Sequence, residues 1–190
     1  TVFPHHPTPR SVSLRLVAYR VVVMVIVALA WLAGPAEAAK KKRPPKPVKV
    51  QLLAINDFHG HLEPDAKADP AGGALALAAT LERLRAQAPR SVFVSAGDLI
   101  GASPLPSAIA HDEPTLALFQ RLGLQANAIG NHELDPGLVE LQRQQALAGF
   151  PFLSANLVDS ASGKPVFAPY RIVEVDGLRV AFVGATVRNA

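Results

Sequence analysis

The sequence predicts an α/β domain in which helices flank a central β-sheet, and three observations support this fold class. Short apolar segments alternate with longer amphipathic segments from Val48 onward. Pro and Gly stand at the ends of a predicted helix, as Pro114 and Gly123 do. Each apolar segment gives way abruptly to Asp, His or Asn. Because strands that alternate with helices form layered domains around one sheet, these patterns together favour a central sheet with helices packed against it.

The first two strands and helices are predicted from apolar spacing. An apolar, β-branched run predicts a buried strand at 48–56. Leucines recur at helical spacing in 72–87, with charged residues facing elsewhere, which predicts an amphipathic helix. A second strand is predicted at 91–97 and a second helix at 113–123, which has Pro in its first turn and Gly just after its end.

The remaining elements follow the same alternation. A short strand is predicted at 125–130. A third helix is predicted at 135–149, with Asp135 as its N-cap and Pro at its first helical position. A fourth strand is predicted at 150–157. The segment 167–186 is predicted to form a β-hairpin, because an Asp-Gly pair separates two apolar, β-branched runs.

The N-terminal segment has the pattern of a secretory signal peptide over residues 1–38. A basic region precedes an uncharged apolar run at 21–33, and small residues define a cleavage site after Ala38. That run is 13 residues long, shorter than the roughly 20 that span a bilayer. The alternative is an uncleaved anchor, because the basic cluster that follows resists translocation. Residues 39–47 are predicted to be an extended, proline-rich basic linker, solvated or in contact with anionic lipid.

Composition restricts the possible classes of site and partner. The chain has no cysteine, which excludes disulfides and thiolate metal sites and leaves His, Asp, Glu and Asn as candidate ligands. The net charge of +4 arises from the N-terminal segment, since residues 1–49 contain nine Lys/Arg and one acid. Residues 50–190 contain ten Lys/Arg and fourteen acids. The domain is therefore mildly acidic, and no nucleic acid polymer is expected as a partner.

Polar side chains follow each predicted strand, in the segments "NDFHGH", "AGDLIGASP", "IGNHELD" and "SAN". Taken singly these signals are weak: Asp57 or Asp98 alone is ordinary in a turn, and a lone His59 is usually a satisfied polar residue. Ligands of open α/β sheets bind beyond the carboxyl ends of the strands, where these segments would meet. Carboxylates, imidazoles and an amide at one sheet edge form a ligand set for divalent cations such as Mn²⁺, Zn²⁺ or Fe²⁺.

The segments "NDFHGHLEP", "SAGDLIGASPLPS" and "AIGNHELD" resemble the metallophosphatase domain of the 5′-nucleotidase family, within the calcineurin-like metallophosphoesterases. The resemblance covers residues 48–190 and departs from the family at Leu134, where Phe is usual. It implies a layered metallophosphoesterase-type fold with a central β-sheet flanked by helices. It also implies that 48–190 is the N-terminal half of that domain, incomplete at its C-terminus.

The resemblance also implies two divalent metal ions, Mn, Zn or similar. It implies six site residues: Asp57 and His59 on the first metal, Asp98 bridging both, Asn131 on the second, and His132 with Asp135 as the catalytic pair. The spacing of His132 and Asp135 is that of one backbone turn. His61 matches no ligand position and is expected to lie beside the site or in solvent.

The function implied is that of an exported, metal-dependent phosphohydrolase acting on nucleotides, periplasmic or secreted, and touching membrane only through its leader or anchor. Two alternatives stay open: another hydrolase on the same metal core, acting on a phosphodiester or a sulfur-bonded substrate, and a non-catalytic envelope binding remnant. The family's site needs further histidines, yet none follows His132. The chain alone, as a fragment of a longer protein, is therefore expected to be nearly inactive.

Overall fold

The computed structural model describes residues 14–32, 47–64 and 72–187 of the 190-residue chain. The chain divides into two compact units, Thr1–Lys46 and Pro47–Ala190. In the first unit, helix α1 spans Leu14–Leu32 and contains most of the apolar run. No helix among the described residues is both long and apolar enough to cross a membrane. The predicted cleavage site after Ala38 and nearly all of the linker 39–47 lie outside the described residues.

The second unit is built on a four-stranded parallel sheet whose strand order follows the chain. Its strands are β1 (Gln51–Ile55), β2 (Ser91–Ser95), β3 (Asn127–Ala128) and β4 (Phe152–Leu153). All four carboxyl ends therefore lie at one edge of the sheet. The strands are shorter than predicted, and the polar residues that follow each one lie outside the regular ladder.

Helices connect consecutive strands, as expected for parallel pairing. They are α2 (Gly73–Gln87), α3 (Leu105–Ala108), α4 (Glu113–Arg121) and α5 (Leu138–Ala148). The core between sheet and helices is fully buried at Phe93, Phe119 and Phe152. The rings of Phe58 and Phe119 meet edge to face with centroids 4.9 Å apart. The α/β architecture with a central sheet flanked by helices is thus confirmed.

The last two strands form the predicted hairpin. Strands β5 (Tyr170–Val175) and β6 (Leu178–Val183) pair antiparallel as a separate two-stranded sheet. Asp176 and Gly177 form the turn, and both have positive φ, as a tight two-residue turn requires. The hairpin is joined to the main sheet, since the amide of Ala155 just after β4 donates to the carbonyl oxygen of Gly184 just after β6.

The prediction that Asp135 is the N-cap of a helix starting there is wrong. Residues His132–Leu134 form a short 3₁₀ helix that ends at Asp135. Helix α5 begins only at Leu138, and its N-cap is Gly137 with φ 87°. Glycine adopts that backbone conformation readily, so the chain turns there and α5 begins two residues later than predicted. The carboxylate of Asp135 is consequently free to bond elsewhere.

Candidate metal centre

Three side chains from the ends of β1 and β2 converge at the carboxyl edge of the sheet. Asp57 and His59 follow β1, Asp98 follows β2, and each offers a ligand atom within 4.8 Å of those of the other two. The Nε2 atom of His59 lies 3.8 Å from Oδ1 of Asp57. Asp57 is exposed, whereas His59 and Asp98 are half-buried, so the cluster opens to solvent on the Asp57 side.

The backbone that carries these three residues has an unusual conformation. Asp57, His59 and Asp98 all have positive φ, at 52°, 46° and 51°, a region that non-glycine residues seldom adopt. The amides of Asp57 and His59 donate to the carbonyl oxygens of Gly97 and Asp98, at 3.1 and 3.0 Å. These bonds continue the β1–β2 pairing beyond the strands. Such strain persists where the surroundings enforce it, and it concentrates at functional sites.

Two glycines allow the loops after β2 and β3 to approach each other. A Cβ atom on Gly97 would lie 2.8 Å from the amide nitrogen of Gly130, and one on Gly130 would lie 2.2 Å from Oδ1 of Asp98. Any side chain at either position would displace the Asp98 carboxylate or the neighbouring loop. The residue after Gly130 is Asn131, which is half-buried and precedes the short 3₁₀ helix.

His132 is linked to the cluster through its backbone and to Asp135 through its side chain. Its amide donates to Oδ1 of Asp98 at 3.0 Å, and its Nδ1 lies 2.8 Å from Oδ2 of Asp135. Its ring meets that of His59 edge to face, with centroids 5.0 Å apart. The hydrogen bond to Asp135 raises the pKa of His132, and this effect outweighs partial desolvation of the ring. The charges of Asp135 and Asp98 act in the same direction.

Glu133 is a functional candidate that the sequence analysis missed. It is fully buried, and its carboxylate accepts four hydrogen bonds of 2.8–2.9 Å from the amides of Asp98, Leu99 and Gly130 and the side chain of Asn127. Burial raises its pKa, and the four bonds oppose that shift. Glu133 therefore ties the loop after β2 to the loop after β3. In the sequence, Glu133 is an acidic residue next to His132. Because acidic residues are usually exposed, nothing in the sequence indicates that this one is buried.

Two further polar residues from the strand-end segments, Asn156 and His61, are not members of the group formed by Asp57, His59 and Asp98. Asn156, after β4, instead bonds Thr186 through both its amide nitrogen and its amide oxygen. His61 is exposed and lines an open cleft of about 490 Å³ beside Asp57, together with Phe58 and Leu77. The end of β4 thus secures the hairpin, while β1, β2 and the loop after β3 build the site.

The donor chemistry of the cluster fits a divalent cation. Two carboxylates and one imidazole suit Mn²⁺, Zn²⁺ or Fe²⁺. The Nδ1 atom of His59 lies 2.9 Å from the carbonyl oxygen of Gly101, and because a carbonyl can only accept, Nδ1 carries the proton. In the neutral imidazole, the Nε2 atom, on the side of Asp57, is then left with a free lone pair. An imidazole held by a backbone carbonyl is the usual arrangement of a metal-binding histidine.

Comparison with known proteins gives consistent matches. Residues 50–185 match the family model of the calcineurin-like phosphoesterases. The chain is 33% identical over 168 residues to the cell wall protein Lmo0130 of Listeria monocytogenes, covering 72% of this chain and 21% of that protein. It is 34% identical over 172 residues to a 5′-nucleotidase of Vibrio cholerae, covering 88% of this chain and 31% of that protein.

A solved structure agrees with these matches. The 5′-nucleotidase precursor of Thermus thermophilus superposes with a TM-score of 0.62 at 34% sequence identity, covering 72% of this chain and 28% of that one. The chain thus spans between about a fifth and a third of the length of these three proteins.

Proposed function

Because the chain belongs to the calcineurin-like phosphoesterase family, we propose that it is the metal-binding part of an exported phosphohydrolase that cleaves phosphate esters of nucleotides. The observation that carries this proposal is the convergence of Asp57, His59 and Asp98 at one sheet edge. The likeness to two 5′-nucleotidases supports a nucleotide as the substrate.

The proposed ligands are Asp57 and His59 for one divalent ion, Asp98 for both ions, and Asn131 for the second. When bound, a pair of such ions would attract the phosphate and make hydroxide available near neutral pH. Asp98 has two carboxylate oxygens, so it could bind two ions at once. Asn131 would supply a neutral oxygen, which leaves more positive charge to attract a phosphate than a third carboxylate would leave.

His132 and Asp135 are proposed as the pair that handles the leaving group. Asp135 accepts a hydrogen bond from Nδ1 of His132, which orients the ring and favours its cation. The imidazolium would stabilise negative charge on the transferring phosphoryl group or donate a proton to the leaving oxygen through Nε2. Both side chains are accessible to solvent, so a substrate could reach them.

The proposal is tested by metal binding. Calorimetry with Mn²⁺ should detect binding to the wild-type chain, and Asp98→Ala should weaken it by about 10-fold or more, since it removes a ligand from the cluster. Asp159→Asn is the control, because Asp159 is a surface carboxylate that accepts hydrogen bonds from Ser162 and is not one of the grouped ligand residues. Equal affinity in all three proteins, or no binding in any, would contradict the proposal.

Activity requires a separate measurement, because this chain spans only part of its relatives. Among the described residues, three ligand groups come together. We therefore expect the 190-residue chain with Mn²⁺ to release phosphate from nucleoside monophosphates very slowly. A panel that includes a nucleoside monophosphate, a cyclic nucleotide and a sulfur-bonded substrate separates the alternative hydrolases. Rapid turnover by the 190-residue chain would refute the expectation of an incomplete site.

An extracytoplasmic location is part of the proposal. The basic and apolar pattern of residues 1–38 supports it, as does the likeness to a cell wall protein. Cleavage after Ala38 would leave the basic linker 39–47 at the new N-terminus, ahead of the mildly acidic domain.

A further inference from the structure

Asp112 occupies the N-cap position of α4, yet its carboxylate makes no capping hydrogen bond there. Asp at this position ordinarily accepts bonds from the first turn of its helix. Asp112 is instead buried, with 8% of its surface exposed, and has φ 61°. A buried carboxylate that leaves its own helix uncapped must be satisfied elsewhere.

The partners of Asp112 are Ser107, at the end of α3, and Gly101, in the loop after β2. One carboxylate oxygen accepts from the Ser107 hydroxyl at 2.7 Å, and the other accepts from the amide of Gly101 at 3.2 Å. The hydroxyl oxygens of Ser107 and Thr115 lie 2.6 Å apart. Because the single proton of Ser107 is directed at Asp112, Thr115 donates to Ser107. Both hydroxyl residues are fully buried, so this network holds the carboxylate in one orientation.

Gly101 connects this network to the metal centre. Its amide donates to Asp112, while its carbonyl oxygen accepts from Nδ1 of His59. Its backbone also packs tightly against the site, since a Cβ atom on Gly101 would lie 2.1 Å from the carbonyl oxygen of His132. The segment that presents the accepting oxygen to His59 is therefore anchored through Asp112.

We propose that Asp112 is a positioning residue for the metal centre, which acts through Gly101 to hold His59 with its proton on Nδ1 and its lone pair on Nε2. The inference rests on the proposed function in that His59 is treated as a metal ligand. Asp112 itself lies behind the Gly101 segment, and its effect is on the orientation and tautomer of the imidazole.

Two substitutions of Asp112 remove its carboxylate while keeping the positive φ of its backbone. Asp112→Gly tolerates the positive φ but removes both acceptor oxygens. Asp112→Asn also tolerates positive φ and keeps one oxygen for the Gly101 amide. Its amide group can donate to Ser107, whose hydroxyl can then turn toward Thr115. The carboxylate is thus lost in both variants, while the acceptor for Gly101 is lost only in Asp112→Gly.

The first measurement is made without metal, by nitrogen–proton correlation NMR of the histidine rings in the EDTA-treated chain above the titration range. We expect wild type and Asp112→Asn to show His59 predominantly as the Nδ1–H tautomer. We expect Asp112→Gly to show a mixture of both tautomers, with the exposed His61 unchanged as an internal reference. An unchanged His59 tautomer in a folded Asp112→Gly protein would overturn the proposal.

The second measurement is Mn²⁺ affinity by calorimetry. Loss of a group that orients a ligand typically weakens metal binding about 10- to 100-fold, so we expect at least about 10-fold for Asp112→Gly and less than about 3-fold for Asp112→Asn. Equal weakening in both variants would overturn the proposal. If wild type binds no Mn²⁺, the proposed function fails, while the metal-free NMR measurement still decides the role of Asp112.

If Asp112→Gly does not fold, Ser107→Ala replaces it in both measurements. It removes only the hydroxyl that orients the carboxylate and leaves the bond from Gly101 possible. We expect a smaller shift in the same direction, both in the His59 tautomer ratio and in Mn²⁺ affinity. A folded Ser107→Ala protein with wild-type values for both would count against the proposal.

Discussion

The protonation of His132 depends mainly on one neighbour, Asp135. The hydrogen bond to Asp135 raises the pKa of His132, against a smaller opposing effect of desolvation. The cation therefore persists to higher pH than it would without Asp135. We expect Asp135→Asn to lower the midpoint of the His132 titration, followed by NMR in metal-free protein, because the amide carries no charge and makes a weaker bond. An unchanged midpoint would show that Asp135 does not control this imidazole.

The proximity of Asp57, His59 and Asp98 could be predicted from sequence, because they directly follow strands whose carboxyl ends share one edge. The partners that hold them could not. Glu133 and Asp112 resemble ordinary surface acids in the sequence, and their burial depends on how loops far apart in the chain come together. Only the structure shows that their acceptor oxygens satisfy backbone amides of those loops.

At the level of elements, one buried carboxylate fastens the loops that follow β2 and β3. Glu133→Ala would leave the amides of Asp98, Leu99 and Gly130 without their acceptor, and each unsatisfied buried donor costs about 1–3 kcal/mol. We expect a loss of more than about 3 kcal/mol in the free energy of unfolding, measured by urea denaturation of the metal-free chain. Glu133→Gln should lose less, since it retains one acceptor oxygen.

Glu140→Ala is the control for this measurement. Glu140 makes a two-point pair with Arg143 at the surface, and surface pairs contribute little, so Glu140→Ala should lose far less stability than Glu133→Ala. A Glu133→Ala protein as stable as this control would contradict the fastening role.

The type of an element could be predicted from sequence where a regular pattern extends over many residues. The residues at which elements begin and end could not. The leucine spacing of α2 and the Asp-Gly turn between β5 and β6 are local signals, and both elements occur as predicted. The start of α5 was misjudged, because an Asp-Pro pair is typical of a helix start while the chain turns instead at Gly137. Helix α3 was not predicted, because it has only four residues, too few for a helical spacing of apolar residues to be seen.

For the whole molecule, charge is unevenly distributed: positive charge is concentrated in residues 1–49, and residues 50–190 are mildly acidic. The α/β fold could be predicted because alternation of strands and helices extends through the entire domain, so an error at one boundary does not alter the class. The predicted leader is different, since a signal-peptide pattern concerns recognition by an export machinery and not packing. The signal-peptide prediction therefore has to be tested by following export in cells.

The final prediction therefore concerns export. Expressed in a bacterium with two membranes, the chain should be recovered from the periplasm with Ala39 as its first residue, because small residues at positions 36 and 38 define the cleavage site. Cell fractionation and N-terminal sequencing measure both. Replacing Ala36 and Ala38 by Leu should block cleavage and leave the chain attached to the inner membrane through its apolar run. Uncleaved wild-type protein at the membrane would favour the anchor, and cytoplasmic protein would contradict export altogether.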